Sequence, residues 1–214
     1  MVKKLVIWGA SGHALVVADA VRSVGDFEIV GFIDNLSPLR RGESFCGASI
    51  LGGIELLDEL IQTGVDAIFF AFGDGAARIR LAQQVVEMGF TMPVIVHPRA
   101  VVAADVSLGQ GTFVAAGAVI NAQARIGSNV IVNTSASVDH ESVIEDGAHI
   151  CPGAHLAGKV FVGRAAWVGI GSTVTEKISI GAGSTIGAGA VVVNDIPAGV
   201  LAYGVPAVVK RSLV

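Results

Sequence analysis

Two adjacent residues in the second half of the chain, His140 and Glu141, carry side chains suited to proton transfer. A neutral imidazole accepts a proton from an amine or a hydroxyl near pH 7. A neighbouring carboxylate raises the basicity of the imidazole and holds its tautomer. Because an outward histidine is also common on protein surfaces with no such role, the elements around His140 must decide between the two interpretations.

The segment around His140 belongs to a repeat of six residues. From Val96 to Val192 every sixth residue is Val, Ile or Leu, at 17 positions without an insertion, and the residue four places later is usually small or aliphatic. The residue directly after the aliphatic one is often Gly, Ala, Asn or Asp, which tolerate unusual backbone angles at a turn. This period predicts a parallel β-solenoid with three hexads per triangular coil, and disfavours an ordinary antiparallel β-domain. His140 takes the third place of its hexad, where an outward side chain is expected.

Residues 1–95 predict a different architecture, in which strands and helices alternate as in a small parallel sheet. Strands are expected over Lys3–Trp8, Glu28–Ile33 and Asp66–Phe72, and helices over 13–24, 54–62 and 75–88, with an irregular stretch near Arg40 and Arg41. We therefore predict a Rossmann-like α/β domain over 1–95, a β-helix domain over 96–196 and a C-terminal tail over 197–214.

A glycine-rich turn, Gly9-Ala10-Ser11-Gly12-His13, links the first strand to the first helix. Such a turn offers free backbone N–H groups to an anion, and an acid about 20 residues later can bind a ribose. Asp34 stands at the end of the second strand and fits that role. The pattern favours a nucleotide or nucleotide-sugar site; a turn needed only for packing and an NAD site are the alternatives.

Composition restricts the remaining classes. The chain is 52% hydrophobic and 15% charged, yet contains no apolar run of the roughly 18 residues that a membrane span needs, and its N-terminus does not resemble a signal peptide. A net charge of −4 argues against nucleic acid. Cys46 and Cys151 have no metal-type spacing, and Cys151 is better explained by packing than as a nucleophile. We expect a cytoplasmic protein.

Three motifs resemble the NeuD/PglD family of bacterial sugar acetyltransferases. They are Gly9–His13, the stretch Asn133–Glu141 with sequence NTSASVDHE, and the closing Gly204-Val205-Pro206-Ala207, and the likeness covers essentially the whole chain. The resemblance implies a left-handed β-helix, His140 as general base with Glu141 supporting it, and acetyl-CoA as acyl donor. It further implies sugar-nucleotide contacts at Ser11, Gly12, His13, Asp34, Asn35 and Gly73, and acetyl-CoA contacts at His149, Ile170 and Ala188.

Two departures from the family pattern concern Asn35, where a second acid is frequent, and Ala188, where Gly is frequent. Ile170 and Ala188 are 18 residues apart and should stack one coil above the other, whereas His140 should lie on a different face. A site that uses all three must wrap an edge or be shared between chains, so we predict a homotrimer with sites between subunits.

Other functions stay open at this stage. O-acetylation of sialic acid or a related sugar uses the same reaction class. Metal-dependent chemistry, as in β-helical carbonic anhydrases, would use His140, His149 and His155, but their spacing does not stack any two of them on one wall. A non-catalytic scaffold is the third alternative.

Overall fold

The computed structural model describes residues 2–213, which form an α/β domain followed by a left-handed parallel β-helix. No helix in this part of the chain is long and apolar enough to cross a membrane. The bounds of the α/β-domain elements are β1 Lys3–Trp8, α1 Gly12–Val24, β2 Phe27–Ile33, β3 Ser44–Phe45, β4 Ala48–Gly52, α2 Leu57–Gln62, β5 Ala67–Phe70 and α3 Gly75–Glu87.

The five strands of this domain form one sheet in the order β3-β4-β2-β1-β5. The predicted strands and helices are confirmed with small shifts at their ends, and a 3-10 turn over Ile54–Leu56 precedes α2. The expected irregular stretch instead contains the β3–β4 hairpin, which extends the sheet beyond β2. Packing explains the hairpin: Ile50 of β4 is buried beside Phe32, and the Phe45 ring lies edge-on to Phe32 at 4.9 Å.

The β-helix confirms the six-residue repeat, since each repeat contributes one strand of two residues that ends on the predicted aliphatic position. In chain order the strands β6 to β22 are Ile95–Val96, Val101–Val102, Ser107–Leu108, Phe113–Val114, Val119–Ile120, Arg125–Ile126, Ile131–Val132, Ser137–Val138, Val143–Ile144, His149–Ile150, His155–Leu156, Phe161–Val162, Trp167–Val168, Thr173–Val174, Ser179–Ile180, Thr185–Ile186 and Val191–Val192.

Every third strand pairs in parallel, which gives the prism three faces and stacks residues that are 18 apart. The first face starts with β6 and β9, the second with β7 and β10, and the third with β8 and β11. We call the turn from the first to the second face the first corner, and the turn from the second to the third face the second corner. The aliphatic and small positions fill one continuous buried core.

The prediction about turn angles was wrong by two places. The left-handed backbone angles occur at the third residue after the aliphatic one, at every such position from Gly111 to Gly189, and not directly after it. Half of these 14 residues are not glycine, and Glu141 is one of them, with φ of 58°. Within the stretch predicted as the C-terminal tail, β23 (Val200–Gly204) and β24 (Ala207–Ser212) form a hairpin on the first face.

Candidate active site

His140 and Glu141 lie on the second corner, where the chain turns from β13 to β14. The His140 Nδ1 and Glu141 Oε2 atoms are 3.0 Å apart, and both side chains are about half exposed. This hydrogen bond places the ring proton on Nδ1 and leaves the Nε2 lone pair free. The same contact, as its largest cause, lowers the pKa of Glu141, so the carboxylate stays charged. The pair has the geometry of an oriented general base.

The neighbouring Asp139 and a residue one coil away hold the turn in place. Asp139 accepts a hydrogen bond from the His140 backbone N–H at 2.7 Å, and the Asn121 side chain donates to the same oxygen at 2.8 Å. These two contacts lower the pKa of Asp139, the backbone contact more strongly. Asn121 lies directly below Asp139 in the coil stack, 18 residues earlier. The orientation of the His140 turn therefore depends on a side-chain contact between coils.

The next coil covers the pair from the other side. Gly158, 18 residues after His140, is packed so closely that a Cβ there would stand 2.5 Å from Nε2 and Cε1 of the ring. Lys159, 18 residues after Glu141, places its Nζ 3.4 Å from Glu141 Oε2. The carboxylate is thus shared between an imidazole and an ammonium group.

A separate cleft of about 350 Å³ opens in the α/β domain, at the carboxyl ends of β1 and β2. Parallel α/β sheets commonly bind ligands at this edge. Gly9, at the turn after β1, has φ of 128° and lies so near Ala71 O that no side chain fits. α1 begins at Gly12 with no acidic residue in its first turn, which suits an anionic ligand. The lining residues are Trp8, Gly9, Ala10, Ser11, Ile33, Asp34, Asn35, Leu36, Arg40, Phe72, Asp74 and Ala77.

Asp34, the residue predicted to bind the ribose, already has partners within the chain. One carboxylate oxygen accepts from the Leu36 backbone N–H at 2.8 Å, and the other accepts from Arg40 Nη1 at 2.7 Å. Its side chain is only 5% exposed. Asn35, by contrast, is exposed at the edge of the cleft. Asp34 retains lone pairs for a ligand, in an orientation set by these two donors.

Two histidines meet where the α/β domain packs on the first face of the β-helix. The His13 and His149 ring centroids are 6.1 Å apart, and His149 also contacts Trp167 and the Asn133 side chain. Burial, reinforced by the charge of Arg78, lowers the pKa of His13 to about 4 and that of His149 to about 3. Both rings are therefore neutral near pH 7. His13 Nε2 and His149 Nδ1 are buried with no hydrogen-bond partner among the described residues.

Arg78, on α3, supplies the charge beside these rings and joins the two domains. Its guanidinium is buried and donates to Phe72 O and Gly73 O in the α/β domain, and to Asn129 O, Gly147 O and Ala148 O in the β-helix. Burial lowers its pKa to about 10, so the group stays charged at neutral pH.

The structure brings the predicted site residues together in four groups. Ser11, Asp34 and Asn35 line the cleft, and Gly12 begins the helix beside it. His13, His149 and Gly73 lie at the domain junction, where Gly73 packs against Trp167. Ile170 and Ala188 are exposed on the first corner, one coil apart, as the Gly189 N–H to Ile170 O bond shows. His140 and Glu141 occupy the second corner, and the contacts described for them come from the β-helix.

Sequence reasoning missed Asn121, Gly158 and Lys159, although counting 18 residues from Asp139, His140 and Glu141 would have found them. It also missed the roles of Arg40 and Arg78, which no local pattern marks. Burial raises the pKa of the Cys151 thiol to about 12, which keeps it protonated. Within residues 2–213, no group of three or more His, Cys, Asp or Glu residues is arranged to hold a metal ion.

Comparison with known proteins gives consistent matches. Residues 4–85 match the family model described as the PglD N-terminal domain. PerB from Caulobacter crescentus, solved in complex with CoA and GDP-perosamine, is 38% identical over 99% of both chains, with a TM-score of 0.93. The acetyltransferase domain of PglB from Neisseria gonorrhoeae, solved with acetyl coenzyme A, is 37% identical over 97% of this chain and 99% of that one, with a TM-score of 0.91.

WeeI from Acinetobacter baumannii shares the fold, with a TM-score of 0.87 at 24% identity over 97% of this chain and all of that one. No curated protein matches the chain by sequence.

Proposed function

The chain belongs to the NeuD/PglD family of sugar acetyltransferases, and on that premise we propose that it acetylates the amino group of a nucleotide-linked 4-amino sugar, with His140 as general base. As a family member it is an acetyl-CoA-dependent sugar N-acetyltransferase. The observation that carries the mechanism is the His140–Glu141 pair, in which Nδ1 faces the carboxylate and Nε2 is free.

The proposed reaction is a direct transfer. The sugar amine attacks the thioester carbonyl carbon, a C–N bond forms, and His140 Nε2 takes a proton from the nitrogen. Collapse of the tetrahedral intermediate breaks the C–S bond, and the CoA thiolate leaves and takes up the proton from the His140 imidazolium. Glu141 keeps Nδ1 protonated and stabilises the imidazolium that forms. A covalent route is not needed, and the thiol of Cys151 is buried and protonated.

The cleft of the α/β domain is proposed to bind the nucleotide. The glycine turn and the start of α1 would receive the diphosphate, and Asp34 and Asn35 would bind the ribose or base. PerB was solved with GDP-perosamine, so a GDP-linked 4-amino sugar is the first acceptor to test. His149, Ile170 and Ala188 are proposed to contact acetyl-CoA; the unpartnered Nδ1 of His149 and the exposure of the other two support this.

The arrangement within one chain supports a homotrimer with shared sites. The contacts of the His140–Glu141 pair lie on the second corner, whereas the α/β domain packs on the first face. A neighbouring prism would bring one chain's second corner to another chain's cleft. Sedimentation tests the assembly: a fully active monomer whose mass does not depend on concentration would contradict it.

Assays of CoA release by free-thiol detection test the reaction. GDP-perosamine, UDP-linked 4-amino sugars and sialic acid are offered side by side, and we expect turnover with an amino sugar only. His140→Ala should lower kcat by roughly 10²–10⁴ with little change in acetyl-CoA affinity, and Glu141→Gln should have a milder effect. Near-normal turnover of His140→Ala, or turnover of sialic acid alone, would refute the proposal.

A further inference from the structure

Arg40 is the one cationic side chain among the described residues that line the cleft. Its Nη1 donates to Asp34 Oδ2 at 2.7 Å and to Ala10 O at 2.8 Å. Its Nε and Nη2 donate to the two oxygens of Glu43 at 2.9 and 3.0 Å. Four of its five N–H groups are therefore used within the chain. Arg40 joins the glycine turn, the end of β2 and the segment before β3.

These contacts determine what Asp34 presents to a ligand. The Leu36 backbone N–H occupies one lone pair of Oδ1, and Arg40 occupies one lone pair of Oδ2. Each oxygen keeps one further lone pair, and the nearly buried carboxylate cannot rotate without breaking both bonds. A carboxylate fixed in this way is prepared to accept hydrogen bonds from a ribose diol or from two adjacent base N–H groups.

The charges argue against direct phosphate binding by Arg40. Its guanidinium lies between the carboxylates of Asp34 and Glu43, so the three groups together carry a net negative charge. A diphosphate would gain little attraction from a cation that two carboxylates already neutralise. The geometry is suited to holding Asp34 and not to capturing phosphate.

We infer that Arg40 is a positioning residue for nucleotide recognition, which acts through Asp34 and secures the segment 34–43 to the glycine turn. The inference rests on the proposed nucleotide site. Arg40 determines the affinity for the nucleotide sugar and leaves the acetyl transfer step unchanged. Glu43 supports it by holding the opposite edge of the guanidinium.

A double-mutant cycle tests this role. Dissociation constants for GDP, UDP and guanosine are measured by calorimetry on full-length wild type, Arg40→Met, Asp34→Asn and the double variant. For the nucleotide that the wild type binds, each single change should weaken binding about 10-fold. The double variant should bind no more weakly than Asp34→Asn, since Arg40 has then lost the group through which it acts. Kinetically, Arg40→Met should raise KM for the sugar nucleotide with kcat and the acetyl-CoA KM unchanged.

Two controls keep the result interpretable. Arg41→Met removes the neighbouring cation, which does not line the cleft, and should leave binding unchanged. Arg40→Lys tests the need for a forked donor if the methionine variant folds poorly, and should bind at an intermediate level.

Three outcomes would overturn the inference. Additive losses in the cycle would mean that Arg40 acts independently of Asp34. A loss for the diphosphate with none for guanosine would mean that Arg40 binds phosphate directly. A lower kcat at saturating substrate would place Arg40 in the chemistry. If the wild type binds no nucleotide, the proposed site fails and this inference with it, whereas binding combined with an additive cycle rejects the role of Arg40 alone.

Discussion

Replacing Gly158 by alanine should damage catalysis while leaving the fold intact. Gly158 has an ordinary backbone conformation, so alanine is tolerated there by the main chain. Its Cβ, however, would stand 2.5 Å from Nε2 and Cε1 of His140 and 3.1 Å from Cδ2. Carbon atoms in contact prefer about 3.5 Å or more. The ring must therefore move by about 1 Å, and being half exposed it can do so.

This movement of the imidazole should lower kcat and leave the stability of the fold unchanged. A displacement of about 1 Å at a catalytic group can lower the rate by up to about 100-fold, so we expect kcat to fall between 10- and 100-fold. The melting temperature and the acetyl-CoA KM should stay near wild type, because the new methyl group displaces a side chain and no core residue.

The matched control is the same change in a His140→Ala background. Without the ring the added methyl group has no imidazole to displace, so Gly158→Ala should cost nothing further. Steady-state kinetics of the four proteins, with thermal melts of each, measure the coupling. An unchanged kcat in Gly158→Ala, or an equal loss in both backgrounds, would refute the assignment of Nε2 as the reacting atom.

Three further changes test the site and its support. Since burial lowers the pKa of His13 to about 4 and that of His149 to about 3, the unfolded chain binds protons first on acidification. The contribution of the two neutral histidines to the free energy of unfolding should therefore be complete above pH 6.5, and the free energy of unfolding should be lower by about 2 kcal/mol per histidine at pH 5. Urea midpoints that fall as much in His149→Gln as in wild type would contradict this. The Lys159 ammonium is one of the groups that lower the pKa of Glu141, so Lys159→Met should move that pKa back toward its usual range, whereas the matched Lys177→Met, one coil away, should not; NMR titration of the Glu141 carboxyl measures both. Arg78→Met leaves buried carbonyl groups of both domains without a donor and should cost about 3 kcal/mol or more of stability in thermal melts; a near-wild-type melting temperature would argue against its role at the junction.

The β-helix was predictable from sequence because one periodic constraint, burial of an aliphatic side chain every six residues, acts along the whole of it. The same period stacks residues 18 apart, so the neighbours of His140 were implied by counting. The β3–β4 hairpin was not predictable, because its strands are short and depend on Phe32 and Phe45 meeting in three dimensions. The predicted position of the left-handed turn residue was wrong because the small residues found directly after the aliphatic position suggested that place. The chain instead adopts positive φ at the third residue after the aliphatic position.

The candidate site likewise contains one part that was predictable from the sequence and another that was not. The His140–Glu141 pair is a local feature, and adjacent residue types were enough to suggest it. The partners of Asp34 and the junction around Arg78 join segments distant in sequence, so only the folded chain brings them together. The family resemblance named His149 as an acetyl-CoA contact without indicating that it lies beneath the α/β domain, against His13.

The uninterrupted stack of coils also fixes the distances between residues along the prism axis. Each coil raises the chain by one strand spacing, about 4.8 Å. Ile170 follows His140 by 30 residues, so it lies about 8 Å further along the prism axis than the imidazole, and Ala188 lies one coil further still. One additional coil inserted between His140 and Ile170 could continue the parallel strand pairing of each face, and it would lengthen the axial distance between these two residues by one strand spacing. If Ile170 and Ala188 contact acetyl-CoA as proposed, the number of coils between them and His140 sets the axial distance that the thioester arm must span, a dimension that no single side chain controls.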